Sequence, residues 1–92
     1  MNLASISGFV NGAPEIRTTK DGRRILNFEI AVEGPGKQPL VPVAFFLDEK
    51  ESVNVEPGNR VLVMGVIRHH RVRGLFVGAN EIIPIAENFV GR

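Results

Sequence analysis

Apolar residues in this chain recur every second position over short runs, and Gly and Pro cut the runs apart. Leu3 to Asn11 reads as a first strand, with Ala4, Ile6, Gly8 and Val10 on one face and Ser5, Ser7 and Phe9 on the other. Gly8 within it points to a bend or a close backbone approach. Pro14 stops regular pairing, and an extended path resumes over Glu15 to Thr19. Asp21-Gly22 predicts a two-residue hairpin turn with both positions at positive φ. Arg24 to Val32 then alternates cleanly, with Leu26, Phe28, Ile30 and Val32 as the core set and Ile25, Asn27, Glu29 and Ala31 opposite.

Residues 33–39 (EGPGKQP) read as a loop, and Leu40 to Leu47 as a third strand. Val41, Val43, Phe45 and Leu47 form its better core set. Pro42, which lacks an N–H, fits an edge or a bulge. Segment 48–57 is acidic, has room for one helical turn, and ends in a turn at Glu56 to Asn59. Arg60 to His69 is apolar on both faces and reads as a central fourth strand. Leu75 to Ile85 is the fifth. Five short strands with a spacer between the third and fourth match the open Greek-key barrel of the OB-fold, with a small β-sandwich as competitor. The expected architecture is all-β, one OB-fold domain over 1–92 with 86–92 as a short C-terminal extension.

Composition narrows what such a barrel does. A chain of 92 residues suits one small core, so self-association is expected. There is no cysteine, hence no thiolate nucleophile or thiolate metal site. No basic-then-apolar leader opens the chain, and no apolar run nears the roughly 18 residues of a membrane helix. A cytoplasmic, nucleoid-associated location and no membrane partner are the expectation. Net charge is only +1, but it is unevenly spread. Arg17, Lys20, Arg23 and Arg24 cluster at the first hairpin, and Arg68, Arg71 and Arg73 at the last. Asp48, Glu49, Glu51 and Glu56 gather between them. Such separation lets a near-neutral protein hold a polyanion on one side.

Two stretches resemble known sequences. NLASISGFVNGAPEIRTTKDGRRILNFEIAVE is similar to the opening of bacterial-type single-stranded DNA-binding proteins, through Gly8, Pro14-Glu15, Arg17, Gly22 and Asn27-Phe28. PGNRVLVMGVIRHHR resembles that family's fourth strand and the basic start of its last hairpin. The resemblance implies an OB-fold, a homodimer or homotetramer, and aromatic side chains that stack on bases. The chain departs from the family pattern in having no Trp or Tyr, a short spacer at 48–57, and an end at Val90-Gly91-Arg92 without a Gly/Pro/Gln-rich tail or acidic tip. Those departures point to a minimal family member, a chain cut to its binding core, or the short, tailless primosomal restart protein, a relative that bridges replication proteins.

Sequence-tolerant binding of single strands needs a basic track for phosphates and flat side chains for bases. The candidates for the track are Arg17, Arg24, Arg68, Arg71 and Arg73, and a guanidinium can also stack on a base. Solvated hairpins that discourage edge-to-edge association are the competing reading. Among the six phenylalanines, Phe28 and Phe45 fall in core sets, whereas Phe9, Phe46 and Phe76 are candidate stackers. Phe9 is equally a candidate for a subunit contact, and Phe89 for a tail packed on the barrel. His70 is a candidate for stacking or hydrogen bonding. His69-His70 is a poor metal pair, because neighbours on a strand face opposite ways, and no metal or cofactor is expected. No nucleophile elbow, zinc-binding helix motif or phosphate-cradling loop is present, so catalysis is not expected.

The leading expectation is a protein that coats single-stranded DNA, with RNA left open, in replication, recombination or repair. The primosomal restart role and an OB module that binds only protein are the alternatives.

Overall fold

The structure, a computed structural model, describes residues 1–48 and 54–85. It holds five strands: β1 (Ala4–Thr18), β2 (Arg24–Val32), β3 (Leu40–Leu47), β4 (Arg60–His70) and β5 (Gly74–Pro84). They close into a barrel in the order β1-β2-β3-β5-β4. All contacts are antiparallel except β3 with β5, a parallel patch of three pairs from Val43↔Val77 to Phe45↔Ala79. The five-stranded barrel expected from the alternation is therefore present, and no helix occurs among the described residues. The helical turn allowed within 48–57, the extension at 86–92 and the packing of Phe89 lie outside the described residues.

The core follows the period-two pattern. Leu26, Phe28 and Ile30 of β2 and Val43, Phe45 and Leu47 of β3 are buried, joined by Val10, Val55, Val61, Val63 and Val77. No polar side chain is buried among the described residues, so burial is driven by apolar area alone. Pro42 sits one residue before the β3–β5 patch begins, where its missing N–H interrupts no ladder on that side.

Closure needs two close approaches. β1 is shared between β2 and β4, and Gly8 pairs with Val32 on one side and Val61 on the other. A Cβ at Gly8 would lie 2.1 Å from the Ala31 carbonyl oxygen, so the tight coil of β1 requires glycine there. Gly65 plays the same part beside the Gly78 carbonyl oxygen, also at 2.1 Å, where the β4–β5 register shifts.

One local expectation holds and one is corrected. Regular pairing with β2 breaks around Pro14 and resumes at Glu15, as expected, within a single strand that runs on to Thr18. Between Asn11↔Glu29 and Glu15↔Asn27 it advances four residues against two on β2. The surplus, with Gly12 at φ 78°, forms a bulge in which Pro14 has no ladder bond to lose. The first hairpin, by contrast, is not the expected two-residue turn. Thr19 N–H donates to the Arg23 carbonyl at 2.7 Å, and Gly22 N–H to the Thr19 carbonyl at 3.0 Å. Only Gly22 takes positive φ, 87°, and Asp21 does not. This is a three-residue loop closed by a left-handed glycine, which spares Asp21 the strained backbone that the shorter turn demands.

Candidate nucleic-acid interface

The pairing registers lay the outward side chains of β1, β2 and β3 in rows. Arg17, Ile25 and Phe46 make one row, then Glu15, Asn27 and Ala44, then Asn11, Glu29 and Pro42. Across the parallel patch Ala44 meets Gly78, which in turn meets Val66 on β4. Next along this last pairing stand Arg68 and Phe76, directly opposite each other. These rows line one open groove of about 1100 Å3. Small residues, Ala44 and Gly78, form its floor.

An arginine stands beside an aromatic ring at each end of the groove, in contact at one end and as a cross-strand neighbour at the other. At the β1–β2 end, the Arg23 guanidinium carbon lies 4.5 Å from the Phe46 ring centroid, within cation–π range. Arg23 also pairs with Asp21, Nε to Oδ2 at 3.2 Å. Thr19 Oγ1 donates to the same Asp21, and these contacts hold its carboxyl below the usual carboxylate range, the Thr19 hydrogen bond contributing most. At the β4–β5 end, Arg68 faces Phe76, and its aliphatic stem lies over Gly78, where a Cβ would come within 2.6 Å of Arg68 Cδ. Gly78 thus makes room for the arginine that stands over it. Phe46 is 49% exposed although its neighbours Phe45 and Leu47 are buried.

His70 has a local role. Its Nδ1 accepts from the backbone N–H of Val72 and of Arg73, each at 3.2 Å. The ring thereby fixes the tip of the last hairpin with its Nε2 side left to meet other groups, and places Arg73 in the groove.

Of the nine residues singled out from sequence, Arg17, Phe46, Arg68, His70, Arg73 and Phe76 line this groove. Three stand elsewhere. Arg24 shares the strand face of Leu26, and donates from NH2 to the Asp48 carbonyl at 3.0 Å, at the end of the barrel. Arg71 is exposed at the hairpin tip, outside the groove lining. Phe9 is half-buried one row beyond the groove, between Ala31 and Arg60. Sequence reasoning passed over Arg23, Asn27, Glu15 and Glu29, all of which line the groove. Their signal was parity: Asn27 and Glu29 were already on the outward face of β2, and Arg23 precedes Ile25 on that face.

No family model matches the chain, and no curated protein matches it. Solved structures do. The dimeric N-terminal domain of PriB protein from Thermoanaerobacter tencongensis superposes with a TM-score of 0.78 at 26% identity, over 94% of this chain and 98% of that one. A deletion mutant of the single-stranded DNA-binding protein from Thermus aquaticus superposes with a TM-score of 0.84 at 21% identity, over 98% of this chain and 43% of that one. The second likeness is one of fold, and this chain spans less than half of that protein. Barrel order and these superpositions agree: the chain is a closed five-stranded OB-fold barrel, similar in fold to the PriB domain and to the Thermus single-stranded DNA-binding protein.

Proposed function

We propose that the groove binds single-stranded DNA with phosphates on its arginines and bases stacked on Phe46 and Phe76. The observation that carries this reading is that one open groove holds the Arg23–Phe46 cation–π contact at one end and the cross-strand neighbours Arg68 and Phe76 at the other. Each pair offers a cation and a flat face side by side, the two elements that sequence-tolerant single-strand binding uses. The role is binding, not catalysis, as in the Thermus single-stranded DNA-binding protein. The protein works as a homodimer or higher homo-oligomer, which the dimeric PriB domain supports and which linked sites would favour through avidity.

A second reading rests on the same relative. PriB's N-terminal domain matches over nearly its whole length, which favours a replication-restart protein that binds strands and bridges replication proteins. The two readings part on whether the protein protects a bare oligonucleotide alone or acts chiefly by stimulating a helicase.

The test is a titration of a labelled mixed-sequence oligonucleotide at several salt concentrations. Four arginines line the groove. Were each to meet a phosphate, log affinity would fall against log salt with a slope of about −3. No binding at low salt, or binding indifferent to salt, overturns the proposal.

A further inference from the structure

The groove is chemically lopsided. Its ends carry Arg17 and Arg23 on one side and Arg68 and Arg73 on the other, but the β1–β2 wall between them carries Glu15, Asn27 and Glu29. Asn27 is half-buried and its side chain has no hydrogen-bond partner among the described residues. Glu15 has none either, and Glu29 has only a 3.4 Å contact from Asn11 Nδ2. Two carboxylates on this wall repel phosphates, so a backbone held by the arginines keeps away from it. Bases lying over Ala44, beside the Arg68 stem that covers Gly78, then turn their edges towards the wall.

A carboxylate only accepts hydrogen bonds. It therefore pairs with an exocyclic amino group, such as N4 of cytosine or N6 of adenine. Thymine and uracil offer it two carbonyl oxygens around one N–H, and those oxygens are repelled. We infer that Glu15 and Glu29 make the groove select strands rich in amino-bearing bases over thymine and uracil. The selectivity rests on the binding reading above, and adds to it which bases the site prefers. Asn27, with both a donor and an acceptor, serves any base and sets no preference of this kind.

Cytosine and uracil differ on this edge and share a ring of one size, so dC and dU oligonucleotides of equal length isolate the effect from stacking and from the thymine methyl. The intact protein is titrated with each at one salt concentration and neutral pH. We expect dC to bind about 10-fold tighter or more, the lower end of the range for one charge-assisted hydrogen bond. In Glu29→Gln and Glu15→Gln the new amide both donates and accepts, so the dC-to-dU ratio should fall towards 1 while dU affinity rises. Equal binding of dC and dU by the unaltered protein, or a preference that survives both Gln changes, overturns the inference and leaves the binding reading standing. No binding to either oligonucleotide overturns the binding reading itself.

Discussion

The Arg23 guanidinium lies over the ring of Phe46, 4.5 Å from carbon to centroid, while its Nε reaches Asp21 at 3.2 Å. In the free protein the cation thus rests on the aromatic face next to which a base would stack. Because the ring is 49% exposed, it adds little to the core. Phe46→Ala should weaken oligonucleotide binding by about 1–3 kcal/mol, one stacked base, with only a modest fall in melting temperature from the half of the ring that is covered. Titration and a thermal melt of the same variant check both halves. A large loss of stability with unaltered affinity would assign Phe46 to the fold instead.

Arg68 and Arg71 stand three residues apart, yet only Arg68 lines the groove. Arg68→Ala should reduce the magnitude of the salt slope by about 0.7, the loss of one phosphate contact on a single strand. Arg71→Ala should change the slope less. Gly78→Ala tests the same arginine from beneath, because the new methyl would displace the Arg68 stem, which is flexible, rather than backbone. Its expected signature is weaker binding with an intact barrel, read by titration and circular dichroism.

The contrast between Arg23 and Arg24 shows how far the sequence could be read. Alternation in β2 gave its bounds and all of its core set but Val32, which is only half-buried at the strand's end, since every second residue there is a strong apolar. The same parity places Arg24 with Leu26 and Arg23 with Ile25, but it could be applied to Arg23 only once the loop length was known. Asp-Gly admits two-residue and three-residue loops, and the choice turns on whether Asp21 accepts positive φ, a matter of hydrogen bonding by Thr19 and Arg23. The acidic wall was hidden for another reason. Glu15 and Glu29 are fourteen positions apart, and only the bulge between Asn11 and Glu15 sets them side by side along the groove.

Gly8→Ala and Gly65→Ala should both be strongly destabilising, in contrast to Gly78→Ala. Each new methyl meets a backbone carbonyl oxygen at 2.1 Å, and backbone at a barrel seam cannot step aside as a side chain can. Overpacking of this kind costs about 1–3 kcal/mol, sometimes more. In a domain of this size each kcal/mol lowers the melting temperature by about 4–8 °C. Melts of the three alanine variants, compared directly, check the ranking.

The last prediction concerns acid. Arg60 donates from Nε to both oxygens of Glu33, at 3.0 and 3.1 Å, and its NH2 lies 2.9 Å from Oε1. Ser7 Oγ donates to Oε2 at 2.7 Å. This ties the start of the β2–β3 loop to β1 and β4. The Arg60 hydrogen bonds, then that of Ser7, hold the Glu33 carboxyl below its ordinary value, against a smaller opposing effect of desolvation. A carboxyl depressed in the folded state adds stability above its unfolded value, and loses it as pH falls through the folded one. Glu33→Gln should therefore melt below the unaltered protein at neutral pH. The gap between them should narrow as pH falls through the ordinary glutamate value and close only once pH lies below the folded value. Melting temperatures of the two proteins measured across that range decide it: a gap of constant size would mean that Glu33 acts through shape and packing, with its charge contributing nothing.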